Sequence, residues 1–249
     1  MDGEALRQWT IRKRLIALGA LFVFILFGFL GLAWWALQPY DEPQSLPPTM
    51  ISAETPRGAA LLKNADAHAD YSALSESFVA QRFTSFCGVA SSVTVLSAMG
   101  RDVDQRSFFT QKTRPIRSRM RVVFGGMPLG DLGGLLRAHG AAISMHYGDT
   151  FGAAQFRETV VKNLANSEDF LLVNYQRAAL GQDAAGHISP IAAYHQDTDL
   201  VLILDTASHK YPYTWVPLEM LVKAMATIDP ERGKMRGYIE VIGLKENPS

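Results

Sequence analysis

Residues 15–37, LIALGALFVFILFGFLGLAWWAL, are an apolar run without a single charge. No water-exposed element tolerates such a stretch, so it must be covered by lipid or by protein. As a helix rising about 1.5 Å per residue it would be about 34 Å long, against a hydrocarbon core of about 30 Å. Arg7, Arg12, Lys13 and Arg14 precede it, and Asp41 and Glu42 follow it. Basic flanks stay cytoplasmic. The run therefore predicts a single-pass inner-membrane helix with a cytoplasmic N-terminus and a periplasmic remainder. Trp34, Trp35 and Tyr40 suit the far interface. The alternative is a cleaved signal peptide, whose apolar core is roughly 7–15 residues long and ends at small residues. This run is longer and ends in Trp-Trp-Ala-Leu. Gly28 and Gly31 would permit close helix packing, which leaves a homodimer open.

The expected division is a cytoplasmic N-terminus at 1–14, a transmembrane helix at 15–37, a tether at 38–51 and a globular domain at 52–249. Pro39, Pro43, Pro47 and Pro48 keep the tether out of a helix. The chain has 48% apolar and 19% charged residues, which excludes a disordered polymer. Residues 38–249 hold 20 basic and 22 acidic side chains. Nucleic acid is not an expected partner, because phosphate binding needs a basic excess. The single cysteine excludes an intramolecular disulfide and a multi-thiolate zinc site.

Along the domain the pattern predicts helices at 57–66, 87–99, 128–139, 156–165 and 217–227. It predicts strands at 142–147, 169–175, 187–194, 200–205 and 238–242. Helices gather early and strands late, which argues for an α+β fold with an antiparallel sheet.

Lone cysteines are usually inert core residues. Cys87, however, stands where a loop becomes a helix, followed by Gly88, Ala90 and Ser91. Unsatisfied amides at a helix N-terminus favour a thiolate there. Gln81, six residues upstream, has the spacing of the glutamine that papain-like cysteine enzymes use as an oxyanion donor. His187 lies in GHISPIAAYH. If the following turn centres on Gln196, paired positions sum to 392 and His187 faces Asp205 directly. A carboxylate there would orient the imidazole and stabilise its cation. His195 and His209 read as surface residues. His68, His139 and His146 do not converge with carboxylates at metal-ligand spacing, so no protein-bound metal is expected.

The stretches QRFTSFCGVASSVTVLSAMG, DFLLVNYQRAALGQDAAGHISPIAAY and LILDTASHKYPYTWV resemble the catalytic domain of phytochelatin synthases. The likeness covers about residues 52–245. It implies a papain-like fold in which a helical part bearing the nucleophile packs on an antiparallel sheet bearing the histidine and aspartate. It implies a Cys87–His187–Asp205 triad with Gln81 as oxyanion donor. The implied activity is cleavage of the Cys–Gly bond of glutathione through a γ-glutamylcysteinyl thioester, resolved by water or by a second glutathione. Arg236, Asp229, Asn174 and Gly186 are the implied substrate contacts. Plant members carry a cysteine-rich extension thought to help with metal. With one cysteine here, dependence on zinc or cadmium is expected to come through metal-glutathione thiolates as substrate, with no cofactor bound by the protein. Two other readings stay open: a papain-like peptidase resembling double-glycine leader peptidases, and a non-catalytic anchored binding module.

Overall fold

The computed structural model describes residues 3–39 and 42–245, with the side chains of 3–6 left out. Tyr40 and Asp41, read as interface and acidic flank, lie outside the described residues. The chain divides into two units, Met1–Gln38 and Pro39–Ser249.

The first unit is one helix, α1 (Gly3–Ala36). Its stretch Arg7–Ala36 is long and apolar enough to cross a membrane, and none of its most apolar window is buried. Leu37, the last residue of the apolar run, falls just beyond the helix.

The second unit runs through β1 (Ile51–Ser52), α2 (Pro56–Lys63), α3 (Tyr71–Glu76), α4 (Cys87–Ala98), α5 (Arg119–Gly125) and α6 (Leu129–Ala138). It continues with β2 (Ala141–Tyr147), α7 (Ala153–Leu164), β3 (Phe170–Gln176), β4 (Gly186–His195), β5 (Leu200–Ile203) and β6 (Thr214–Pro217). It closes with α8 (Leu218–Met225), β7 (Ile228–Asp229), β8 (Lys234–Met235) and β9 (Gly237–Leu244). Seven strands form one antiparallel sheet in the order β1-β6-β5-β4-β3-β9-β2, and β7 pairs with β8 in a separate hairpin. This is the α+β architecture expected from the pattern.

The central strands β3 and β4 are apolar on both faces because both faces are covered. On one side Phe156, Val160 and Leu164 of α7 and Leu218, Leu221 and Met225 of α8 pack over Leu171, Val173 and Ile191. On the other, α4 is buried from Cys87 to Leu96. A helix apolar all round belongs inside a core. It ends at Gly100, whose positive φ lets the amides of Gly100 and Arg101 return to the carbonyls of Ser97 and Leu96. Ser91 Oγ donates to the Ile188 carbonyl at 2.9 Å and ties α4 to β4.

The stretch expected as a tether lies on the domain from Glu42 onward. The Glu42 and Gln44 amides donate to the His209 and Lys210 carbonyls at 3.1 and 2.9 Å, and Met50 is buried. Proline forbids helix here but leaves the intervening amides free to bond.

Candidate active site

Cys87 opens α4 with no side-chain cap on the first-turn amides. β4 brings His187 to it. Burial alone would raise the thiol pKa. The hydrogen bond and charge of His187, the Ile188 amide and the Arg177 charge outweigh burial and hold it below the usual value. For His187, burial and Arg177 oppose the cation, but Asp205 and the bond to Cys87 prevail and raise its pKa. Thiol and imidazole are thus shifted toward each other, in the direction of a thiolate–imidazolium pair.

His187 Nε2 lies 2.8 Å from Asp205 Oδ1. This is a charge contact, with the ring N–H turned off the line to that oxygen. Asp205 is 2% exposed yet ionised. Burial would raise its pKa, but Arg177 and then His187 hold it well below the usual carboxylate range. Arg177 Nη2 donates to Oδ1 at 2.8 Å and lies 2.7 Å from Oδ2, and the Ala207 amide adds a bond of 2.9 Å.

The expected hairpin register is corrected. Near the turn the pairs are His195↔Leu200 and Tyr194↔Val201, summing to 395, and after an irregularity between Ile191 and Ala193 the pair is Ile191↔Ile203, summing to 394. The turn is a short 3₁₀ segment closed by Asp199 at φ 51°, longer than a turn centred on Gln196. β5 ends at Ile203, so Asp205 is not a ladder partner of His187, whose partner is Tyr175 on β3. Continued past Ile203, the register sets Asp205 across from Ser189, two residues along β4 on the His187 side of the sheet. The extra residue at Ala192 restores this parity. Without it the sum would stay odd and Asp205 would point to the opposite face.

A cleft of about 300 Å³ brings Cys87 and His187 together with Asn174, Gly186, Asp229 and Arg236. All four substrate contacts implied by the resemblance therefore line it. Arg236 is 4% exposed, its Nη1 held by the Ile228 carbonyl at 2.6 Å and Thr227 Oγ1 at 3.2 Å. Its Nε is buried without a partner, and among the described residues no carboxylate lies within ion-pair distance. Burial lowers its pKa, partly offset by Asp229. Gly186 makes room for it, since a Cβ there would sit 3.0 Å from Arg236 Nη2. Gln81 is buried and does not line the cleft. Its Nε2 donates to the Thr84 carbonyl at 2.9 Å, and Thr84 does line it.

Two features escaped the sequence. Arg177 is one, 2% exposed, braced by Gln182 Oε1 at 2.8 Å and lying 4.8 Å from the Tyr211 ring. The other is Arg117, which grips both oxygens of Glu231 at 2.7 and 2.9 Å and the Gly126 carbonyl at 2.7 Å, bracing two cleft walls. An arginine just after an apolar strand carries no signal of burial in one sequence. Among the described residues no group of three or more His, Cys, Asp or Glu side chains is placed to hold a metal ion.

A buried thiol and imidazole meeting at one cleft of an α+β domain, with a carboxylate behind the imidazole, define a nucleophile–base class of site. The family model for phytochelatin synthase matches residues 42–238, and the chain belongs to that family. It is 34% identical over 170 residues to glutathione gamma-glutamylcysteinyltransferase 3 of Lotus japonicus, covering 66% of this chain and 36% of that protein. To glutathione gamma-glutamylcysteinyltransferase 1 of Triticum aestivum it is 32% identical over 178 residues, 69% of this chain and 36% of that protein. The enzyme of that name from Schizosaccharomyces pombe is 26% identical over 176 residues, 68% of this chain and 42% of its own length. The chain thus spans well under half the length of these relatives.

Proposed function

We propose that the chain is a membrane-anchored cysteine acyl-transfer enzyme of papain-like type that cleaves the Cys–Gly bond of glutathione. One observation carries the reading: the thiol of Cys87 and the Asp205-backed His187 share a cleft with the guanidinium of Arg236, which has no carboxylate within ion-pair distance among the described residues. The names of the relatives supply glutathione as substrate.

Arg236 takes the α-carboxylate of the γ-glutamyl group, Asp229 its ammonium, and Asn174 and the Gly186 backbone flank them. The Cys87 thiolate attacks the carbonyl carbon of the Cys–Gly bond. The Cys87 amide stabilises the oxyanion, a donor worth about 3–4 kcal/mol, and Gln81, whose Nε2 holds the Thr84 carbonyl at 2.9 Å, fixes the cleft wall beside it. The C–N bond breaks as the His187 imidazolium gives its proton to the departing glycine nitrogen. His187 faces Asp205 through Nε2, which leaves Nδ1 to serve the thiol. The γ-glutamylcysteinyl thioester is then attacked by water or by the amine of a second glutathione, with His187 as base, which regenerates the thiol. Hydrolysis is the main course and transfer the secondary one. Zinc or cadmium enters as metal-glutathione thiolate. Helix α1 anchors the chain in the inner membrane, and its basic N-terminal flank places the domain in the periplasm.

The test is incubation of the full chain in detergent with glutathione, with and without zinc or cadmium, beside Cys87→Ala. Glycine and γ-glutamylcysteine followed by mass spectrometry, absent in the variant, are expected. Oligomers appearing with metal would add the transferase activity. Absence of Cys87-dependent glycine release overturns the reading.

A further inference from the structure

A cavity of about 740 Å³ lies apart from the cleft of Cys87. It opens beyond the far end of α4, a helix whose 12 residues span about 18 Å from Cys87 onward. Arg101, Lys112, Arg137 and Lys245 line it, with Asp102 as its one carboxylate among the described residues. None of these four cations is within ion-pair distance of a carboxylate among the described residues. Like charges gathered without counter-charges repel one another, so the arrangement is one that a multivalent anion would relieve.

Arg101 is set into the cavity wall. Its Nη2 donates to the Lys245 carbonyl at 3.2 Å, and its Nε is buried without a partner. Gly140, at φ 90°, lets the guanidinium lie against the chain, since a Cβ there would stand 3.2 Å from Nη2. The surrounding charge points the same way. Residues 101–121 hold seven basic and two acidic side chains, while the rest of 38–249 holds thirteen basic and twenty acidic. A second cavity of about 370 Å³, sharing Thr110 and Gln111 with the first, is lined by Arg106, Arg114 and Arg119. The segment thus carries a net positive charge and the rest of the domain a net negative one.

We infer that this cavity is a binding site for a phosphate-bearing anion, separate from the Cys87 cleft. Two guanidinium forks and two ammonium groups suit an anion with several acceptor oxygens and more than one negative charge. The single carboxylate leaves little to receive an ammonium, which sets the site apart from the zwitterion-holding Arg236–Asp229 pair. The volume lies within the usual range of small-ligand pockets, about 300–1,000 Å³.

The experiment uses the full chain in nanodiscs of neutral phosphatidylcholine, titrated calorimetrically with inorganic pyrophosphate. A parallel arm compares hydrogen exchange of residues 101–112 in neutral and phosphatidylglycerol-containing nanodiscs. Saturable pyrophosphate binding, weakened by salt and cut about tenfold or more in Arg101→Gln/Arg137→Gln, assigns the site to free phosphates. Protection of 101–112 by the anionic lipid alone, lost in the same variant, assigns it to a lipid headgroup. Cys87 alkylation at the wild-type rate shows that the variant is folded. The inference is overturned if neither probe acts on the wild-type chain, or if either acts equally on the variant. Neither arm uses glutathione, so the result stands apart from the fate of the proposed reaction.

Discussion

Replacing Arg177 by Met removes a buried cation and keeps most of the side-chain volume. Asp205, 2% exposed, then retains only His187 and one amide as partners. Removing one member of a buried ion pair costs about 3–5 kcal/mol, because the other charge is left without compensation. Domains of this size are stable by about 5–15 kcal/mol, so the loss is a large fraction of the total. At about 2–4 °C per kcal/mol, the melting temperature should fall by about 6–20 °C. The assay is thermal unfolding of the full chain in detergent, followed by near-ultraviolet circular dichroism, which reports domain packing. Arg177→Met/Asp205→Asn, which removes both charges, should recover part of the loss. A fall below about 3 °C for Arg177→Met, or a double variant no better than the single, would refute the claim that Arg177 holds Asp205 in place.

The thiol of Cys87 lies below its usual pKa chiefly because His187 outweighs burial. The pH profile of iodoacetamide alkylation should therefore show ionisation below the free-thiol value of about 8.5, and His187→Asn should move it upward, since burial is then opposed only by the Ile188 amide and the Arg177 charge. Equal profiles would sink the pairing. Arg236→Ala should cost about 10–150-fold in kcat/KM for glutathione, the worth of one charge-assisted bond, with the loss mostly in KM. A loss confined to kcat would contradict its role as carboxylate receptor. Asp70, fully buried with neither oxygen partnered, has its carboxyl pushed up to about 8 by burial and then by Asp169. The folded state keeps a proton that the unfolded chain releases near pH 4, so this group favours the fold below that pH. Its contribution should decline by about 1.4 kcal/mol per unit as pH rises toward 8. Asp70→Asn should thus gain on the wild type between pH 5 and 8 in thermal melts, and parallel curves would disprove it.

Elements with their own pattern were legible in the sequence. The leucines of α6 and the unbroken apolar runs of α4 and β3 announced themselves, and structure bounds differ from expectation by a few residues at most. Short elements held by distant partners were not. Strand β6 is fixed by Trp215, whose Nε1 reaches the Gly58 carbonyl across the fold. Helix α5 exposes Met120 and Phe124 and shows no buried stripe. Cys87, His187 and Asp205 were singled out by local context and by the resemblance, but the geometry first offered for the last two was not the one observed. Counting across the turn missed its length and the irregularity near Ala192, and an even total error kept both on one face. Arg177 was invisible because only the fold reveals that its charge is buried.

The central claim is that Cys87 carries the γ-glutamylcysteinyl group during turnover. The direct measurement is intact-protein mass spectrometry of the full chain, quenched in acid during reaction with glutathione, beside Cys87→Ala. The account predicts a γ-glutamylcysteinyl adduct on Cys87 that hydroxylamine removes, formed with one equivalent of glycine and absent from the variant. An unmodified Cys87 during glycine release, or an adduct that persists in Cys87→Ala, would contradict it.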